Sequence, residues 1–368
     1  MSNGQYDLSK DPEYLERTMF LDPRGPVTLQ RFDTVKYPKI QNYEKVQRGF
    51  FWQPEEIDLT KDKQDMKEAS AAIKHMFTSN LLRQTALDSL QGKAPSVVFG
   101  PACSIPELEA LMSVWSFMET NIHSNSYSHI IRNIYTKPSE VFDNIYNIQP
   151  IVEMAANVGK YYEDLYELNS INELGLGHVE PYDHKKAVWL ALHASYALEA
   201  LRFMVSFATS LAMMENKIFI GNGNIIELIL QDELLHTEWT AWIINQVVKD
   251  DPDFARLKID CAEEVYQIYA DVIREEKEWA NYLCKEGVVI GLNERILCSF
   301  VDWTAWEKLK DIGIKYRCDE IPKSHPIPWF LKHVNLSSKQ TALQESESTS
   351  YVIGVMTTEL NYEELPTL

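Results

Sequence analysis

Cysteine is scarce and without pattern. Its five positions, Cys103, Cys261, Cys284, Cys298 and Cys318, form no C-x-x-C pair and no regular framework. A scattered, odd set in a long chain argues against a disulfide scaffold and points to reduced thiols in a cytoplasmic setting. The N-terminus lacks a basic region followed by an apolar one, so no signal peptide is expected. Positive charge is also short: 35 Lys and Arg face 54 Asp and Glu, leaving −19. Phosphate recognition needs clustered cations, which argues against a nucleic-acid partner. Long apolar runs free of charge are missing too. The most apolar window, about 188–214, could span a bilayer by length, but Glu199 and Arg202 sit at its middle. Each would cost roughly 2.5–3.5 kcal/mol there. A helix buried at the centre of a soluble protein fits better, and no membrane partner is expected.

Strand signals are few, and helical periodicity dominates. Met66, Ala69, Ile73, Met76, Phe77, Leu81, Leu82 and Leu87 recur at three and four spacing and predict one helix over about 63–92. Ser104-Ile-Pro-Glu107 reads as a capping box opening a long helix that runs through Trp115 and Ile122 past Tyr127. Further helices are predicted over about 139–168, 183–214, 223–249, 252–286 and 292–313. Beyond Leu336 the composition turns to Ser, Thr, Gln and Glu, too polar to offset the entropy of ordering. The expected organisation is a helical domain over 1–336 and a flexible tail over 337–368. The tail regains apolar residues from Tyr351 onward, which suits either a docking peptide or a frayed end.

Four helices each carry an acid among apolar neighbours: Asp88, Glu119 with His123, Glu199, and Glu233 with His236. Burying an unpaired charge costs several kcal/mol, so four such acids call for a shared partner. Glu and His three or four apart share a helix face and can reach one ion. Carboxylate-rich sets with one imidazole per metal suit iron or manganese better than structural zinc. One Glu from each of two helices and an E-x-x-H from two others is the ligand plan of ferritin-like dimetal bundles. Singly, each residue has a duller reading, such as a capping or hydrogen-bonded core acid. Their joint occurrence favours metal.

In order along the chain, several blocks then stand out. They are Phe50-Phe-Trp-Gln-Pro-Glu-Glu56, Asp88-Ser-Leu-Gln-Gly92, Ile122-His-Ser-Asn-Ser-Tyr-Ser-His-Ile-Ile-Arg-Asn133, Ala197-Leu-Glu-Ala-Leu-Arg-Phe203, Asp232-Glu-Leu-Leu-His236 and Asn293-Glu-Arg-Ile-Leu-Cys298. With them, the chain resembles the radical-generating small (β) subunit of class I ribonucleotide reductase, in its bacterial and phage branch, from about Phe20 to the C-terminus. The resemblance implies an all-α, ferritin-like dimetal-carboxylate bundle that acts as a homodimer. It implies one metal at Asp88, Glu119 and His123 and another at Glu199, Glu233 and His236. Fe/Fe is the first expectation, with Mn/Fe and Mn/Mn as alternatives. Tyr127 matches the tyrosine oxidised to a stable radical, and Phe203, Phe207 and Ile229 match its apolar pocket. Trp52, Asp232 and His123 match the chain that conducts the radical outward. Tyr351 and Glu345 in the tail match its relay to the catalytic large (α) subunit, which reduces ribonucleotides to deoxyribonucleotides. The implied location is cytoplasmic, the host cytoplasm for a phage-encoded chain.

Two departures stand out. The family spacing is E-x-x-H at both pairs, yet Glu119-Thr-Asn-Ile-His123 is one residue longer. An inserted residue rotates a straight helix by about 100°. A single π-bulge within roughly 117–123 would restore both ligands, and such bulges favour functional sites. Gln231 stands where relatives often carry Arg, and no role is assigned to it. Rival readings are a different dimetal oxidase or desaturase, a metal-storage bundle and a metal-free radical subunit. The first does not need Trp52, Asp232 and the Tyr351 tail together, the second does not need Tyr127 in an apolar pocket and should take up iron far beyond two ions per chain, and the third loses carboxylates that are all present here.

Overall fold

The computed structural model describes residue 11 and residues 13–334, so Glu345, Tyr351 and the rest of the tail lie outside the described residues. Helix starts follow the prolines, whose missing N–H costs nothing in a first turn. Pro opens or follows the first residue of α1 (Pro38–Gly49), α4 (Pro106–Phe117), α6 (Pro138–Asp143), α7 (Gln149–Leu174), α8 (Pro181–Ala197) and α11 (Pro252–Asp260). Between the first two lie α2 (Thr60–Glu68) and α3 (Ala71–Gln91), and α5 (Ser124–Ile134) follows α4. The remainder are α9 (Met204–Glu215), α10 (Ile220–Asp250), α12 (Ala262–Cys284), α13 (Glu294–Asp311) and the short α14 (Leu331–Val334). Among the described residues there is no strand, only the isolated bridges Phe20–Cys103 and Val289–Leu292.

Four expectations are corrected, the first being the helix predicted over 139–168, which is α6 and α7 with a 3-10 segment, Asn144–Asn147, between them. The helix predicted over 63–92 is two, because Ala69 is extended and the Ser70 hydroxyl caps the Ile73 N–H at 3.3 Å. The capping box at Ser104 does not form. Ile105 is the N-cap residue, with no side-chain cap. Ser104 Oγ instead accepts from Asp22 N at 2.8 Å, and the Glu107 carboxylate accepts from Tyr37 N at 2.8 Å. Tertiary donors from the N-terminal segment outcompete the local ones. The helix predicted over 252–286 is also two, breaking at Cys261.

The apolar window is resolved as a core element. Pro181–Glu215 is the one described helical stretch long and apolar enough to cross a membrane, and 94% of its window is buried inside the bundle. Its charges are answered there: Arg202 donates to Glu275 at 2.6 Å.

α10, the longest unbroken α-helix among the described residues, supplies Asp232, Glu233 and His236. Its N-terminus is fixed by acids of α2. Buried Asp62 accepts from Gly221 N at 3.0 Å and Asn222 N at 2.6 Å, while Asp65 accepts from Phe219 N at 2.8 Å. These carboxylates satisfy otherwise orphaned donors and oppose the positive end of the helix dipole. The approach is close, since a Cβ on Gly221 would lie 2.5 Å from the Asp58 carbonyl oxygen. Replacing Asp62 with Ala is expected to cost about 1–2 kcal/mol, the loss of a capping acceptor. A lowered urea midpoint would show it, and an unchanged midpoint would contradict the anchoring of α10.

Candidate dimetal site and radical path

Two ligand-bearing turns depart from the α-helix. Between α4 and α5, Met118–His123 is a π-helical segment, and between α8 and α9 so is Leu198–Arg202. The first accommodates the extra residue between Glu119 and His123, so that both side chains face the same interior point. The second carries Glu199. A third π segment, Ala94–Phe99, follows α3.

All six predicted side chains meet in the core, each fully buried. Asp88, Glu119, His123 and Glu233 form one group of ligand atoms within 4.8 Å of one another, and Glu119, Glu199, Glu233 and His236 form a second. Glu119 and Glu233 belong to both groups. The sequence reading placed each of them at one ion only, whereas this geometry sets both carboxylates between the two positions.

The imidazoles meet this cluster through Nδ1. His123 Nδ1 lies 3.1 Å from Glu119 Oε2 and 3.1 Å from Glu233 Oε1. His236 Nδ1 lies 2.8 Å from Glu119 Oε1 and 3.2 Å from Glu233 Oε2. Trp115, which sequence reasoning missed, donates its indole N–H to Glu119 Oε1 at 3.0 Å and to Glu199 Oε1 at 3.2 Å.

The electrostatics show a set short of positive charge. Burial first, then the Glu119 charge, raises Asp88 well above the carboxylate range, and burial with Glu233 does the same to Glu199. Burial opposes ionisation of Glu233 as well, but hydrogen bonding from Glu199 and the His236 charge hold it lowered. Burial alone would depress both imidazoles. Glu119 beside His123, and Glu233 beside His236, raise them instead. Both Asp88 oxygens and Glu199 Oε2 are buried without a hydrogen bond of normal length, and Glu233 Oε1 has only the His123 imidazole beside it. Four buried carboxylates, with unsatisfied oxygens on Asp88 and Glu199, fit two divalent cations, whose charge would balance theirs.

A path leads outward from this cluster. His123 Nε2 lies 3.1 Å from Asp232 Oδ2, which also accepts the Trp52 indole N–H at 2.9 Å. The other Asp232 oxygen accepts from Gln47 Nε2 at 2.9 Å, a second residue the sequence did not reveal. With Nε2–H directed at Asp232, a neutral His123 presents its Nδ1 lone pair to the cluster. That is the carboxylate–histidine orientation that metal-ligating imidazoles adopt. Trp52 stacks near His123, with centroids 6.3 Å apart, and is 7% exposed. Gln231 points away from Asp232 and donates instead to the His333 carbonyl of α14.

Tyr127 is completely buried, and its hydroxyl has no hydrogen bond of normal length. Burial and the adjacent Asp88 charge raise its phenol well above the usual value, keeping it neutral. Phe203, Phe207 and Ile229 are fully buried, the two phenyl rings stacked at 5.2 Å.

Comparisons with known proteins agree with this architecture. The profile of the family described as "Ribonucleotide reductase, small chain" matches residues 30–318. The ribonucleoside-diphosphate reductase 1 subunit beta of Escherichia coli O157:H7 is 38% identical, covering 96% of each chain. The subunit beta of Enterobacteria phage T4 is 36% identical, covering 89% of each. Among solved structures, the ribonucleotide reductase R2 subunit from Clostridium botulinum superposes with a TM-score of 0.77 at 20% identity, covering 90% of this chain and 98% of that one. A dimanganese(II)-NrdF from Streptococcus sanguinis gives 0.68 at 19%, covering 84% and 99%. With a family profile over most of its length and near full-length relatives at 36–38% identity, the chain belongs to the ribonucleotide reductase small-chain family.

Proposed function

We propose that this chain is the radical-generating β subunit of a ribonucleoside-diphosphate reductase, an oxidoreductase that makes deoxyribonucleotides. The observation that carries this reading is the hydrogen-bonded link from His123 through Asp232 to Trp52. A storage bundle, oxidase or desaturase has no use for a conducting route out of its ligand cluster. In this reading Asp88, Glu119, His123, Glu199, Glu233 and His236 would hold the metal pair, with Glu119 and Glu233 common to both groups of ligand atoms. Iron at both positions is the first choice, and the hard oxygen-rich set serves manganese equally. When bound, the metal pair supplies the oxygen-activating, one-electron oxidising chemistry.

The protein's own residues do the rest. Oxidation of Tyr127 removes one electron and one proton, and Asp88 is placed to take the proton. Phe203, Phe207 and Ile229 keep water and reductants from the phenoxyl group. Asp232 holds both the Trp52 indole and the His123 imidazole on one oxygen, so an electron can pass between them without large nuclear motion. Gln47 fixes the plane of that carboxylate from α1. In the tail over 337–368, Tyr351 and Glu345 extend the route to the large subunit, whose cysteines reduce the ribonucleotide. The working form is a homodimer in the cytoplasm, with the helical domain ending near Leu336.

Tyr127→Phe should retain its metals yet lose both the organic radical signal in electron paramagnetic resonance and all nucleotide reduction; full activity would defeat the assignment. A chain truncated after Leu336 should form the Tyr127 radical at normal yield but lose affinity for the large subunit. Unchanged binding in pull-down or surface plasmon resonance would remove the docking role of the tail.

A further inference from the structure

A second line of oxidisable rings leaves the ligand cluster, sharing no residue with the link from His123 through Asp232 to Trp52. It starts at Trp115 of α4, whose indole N–H is held by the carboxylates of Glu119 and Glu199. The Trp239 ring of α10 meets Trp115 edge-on, with centroids 5.4 Å apart, and lies 4.6 Å from the His236 ring. Tyr43 of α1 meets Trp239 edge-on in turn, at 6.3 Å. At the far end the Tyr43 hydroxyl donates to Glu238 Oε1 at 2.9 Å, and the Glu238 side chain is 58% exposed. Both tryptophans are fully buried and Tyr43 nearly so, so the line runs from the cluster to the layer just beneath solvent.

Edge-to-face rings are ordinary core packing, but two details here go beyond it. Trp239 Nε1 is buried without a hydrogen-bond partner, a cost that a phenylalanine at the same place would avoid. An indole that loses an electron is trapped as a neutral radical once its N–H proton finds an acceptor. With no acceptor beside Nε1, an oxidised Trp239 stays a cation and hands the vacancy on. Tyr43 has the opposite arrangement. Burial and the Glu238 charge hold its phenol above the usual value, so it keeps its proton until an electron leaves, and the carboxylate that then accepts the proton is already in place.

We propose that Tyr43, Trp239 and Trp115 form a second electron conduit, through which a small water-soluble one-electron reductant discharges oxidising equivalents that have not reached Tyr127. The proposal rests on the dimetal reading above. One electron moves at a time: Trp115 gives it to the oxidised metal pair, Trp239 refills Trp115, and Tyr43 refills Trp239 while its phenol proton crosses to Glu238. A reductant of the ascorbate class then returns an electron to Tyr43, and the proton comes back from Glu238. The reductant is oxidised by one electron, the metal pair is reduced by one, and no bond between heavy atoms forms or breaks. Adjacent rings serve better than a single jump, because tunnelling falls exponentially with distance.

The test uses the full chain carrying Tyr127→Phe, loaded with ferrous ion, exposed to oxygen without reductant and freeze-quenched early in the reaction. Electron paramagnetic resonance is expected to show a transient tyrosyl signal that narrows when the chain is grown on ring-deuterated tyrosine. Adding Tyr43→Phe, which removes a single oxygen and keeps the ring, should abolish that signal. Adding Trp239→Phe instead should abolish it and leave an indole signal, narrowed by ring-deuterated tryptophan, which shows that the cluster still assembles. Ascorbate present from the start should quench the tyrosyl signal of the Tyr127→Phe chain. A tyrosyl signal that survives in either double variant or in ascorbate, or that never forms, would overturn the conduit. The wild-type chain treated alike separates the two readings: a normal Tyr127 radical there confines a failure to the conduit, whereas no radical in either chain removes the dimetal reading and the conduit with it.

Discussion

Four carboxylates in a water-free core cannot all remain charged unless positive charge lies between them. That constraint organises the molecule. Asp88, Glu119, Glu199 and Glu233 come from separate helical elements, so cancelling their repulsion also draws those elements together. Protons on the imidazoles offset part of the charge, as the raised His123 and His236 show. Two dications would offset all of it and occupy the orphaned oxygens as well. The same low dielectric that makes the bare cluster costly would strengthen its attraction for divalent cations.

The ligand cluster and the hydrogen-bonded link to Trp52 share one rod. α10 carries Asp232, Glu233 and His236 within two turns, so the carboxylate facing Trp52 and the two side chains of the cluster move together. Asp62 and Asp65 clamp the start of that rod, and α14 is tied to it through Gln231. The two π segments at the ligands act differently. Each widens one turn locally, turning Glu119 or Glu199 inward while the flanking α-helices keep their regular packing.

Much of this was legible in the sequence, for identifiable reasons. The helices show because apolar residues keep a 3.6 period, and the six cluster residues show because acids among apolar neighbours are rare. The π turn at 118–123 could be foreseen because Glu119 and His123 form a pair with a spacing to measure. Glu199 is alone on its turn, so nothing in the sequence marks the distortion at 198–202. Trp115 and Gln47 escaped notice because they act across helices, and a Trp or Gln at helical spacing reads as packing. The failed capping box has the same origin: Ser104 and Glu107 serve partners about 70–80 positions away in sequence. Gln231 falls one residue before Asp232, yet a step of about 100° around the helix sends it to α14.

The sharing of Glu119 and Glu233 between two metal positions is the claim that most depends on geometry. Its most direct measurement is anomalous diffraction from crystals of the chain reconstituted with ferrous or manganous ion. Two peaks flanked by both carboxylates, with Asp88 and His123 beside one and Glu199 and His236 beside the other, are the predicted result. A single peak, or Glu119 rotated out of contact with both ions, would contradict it.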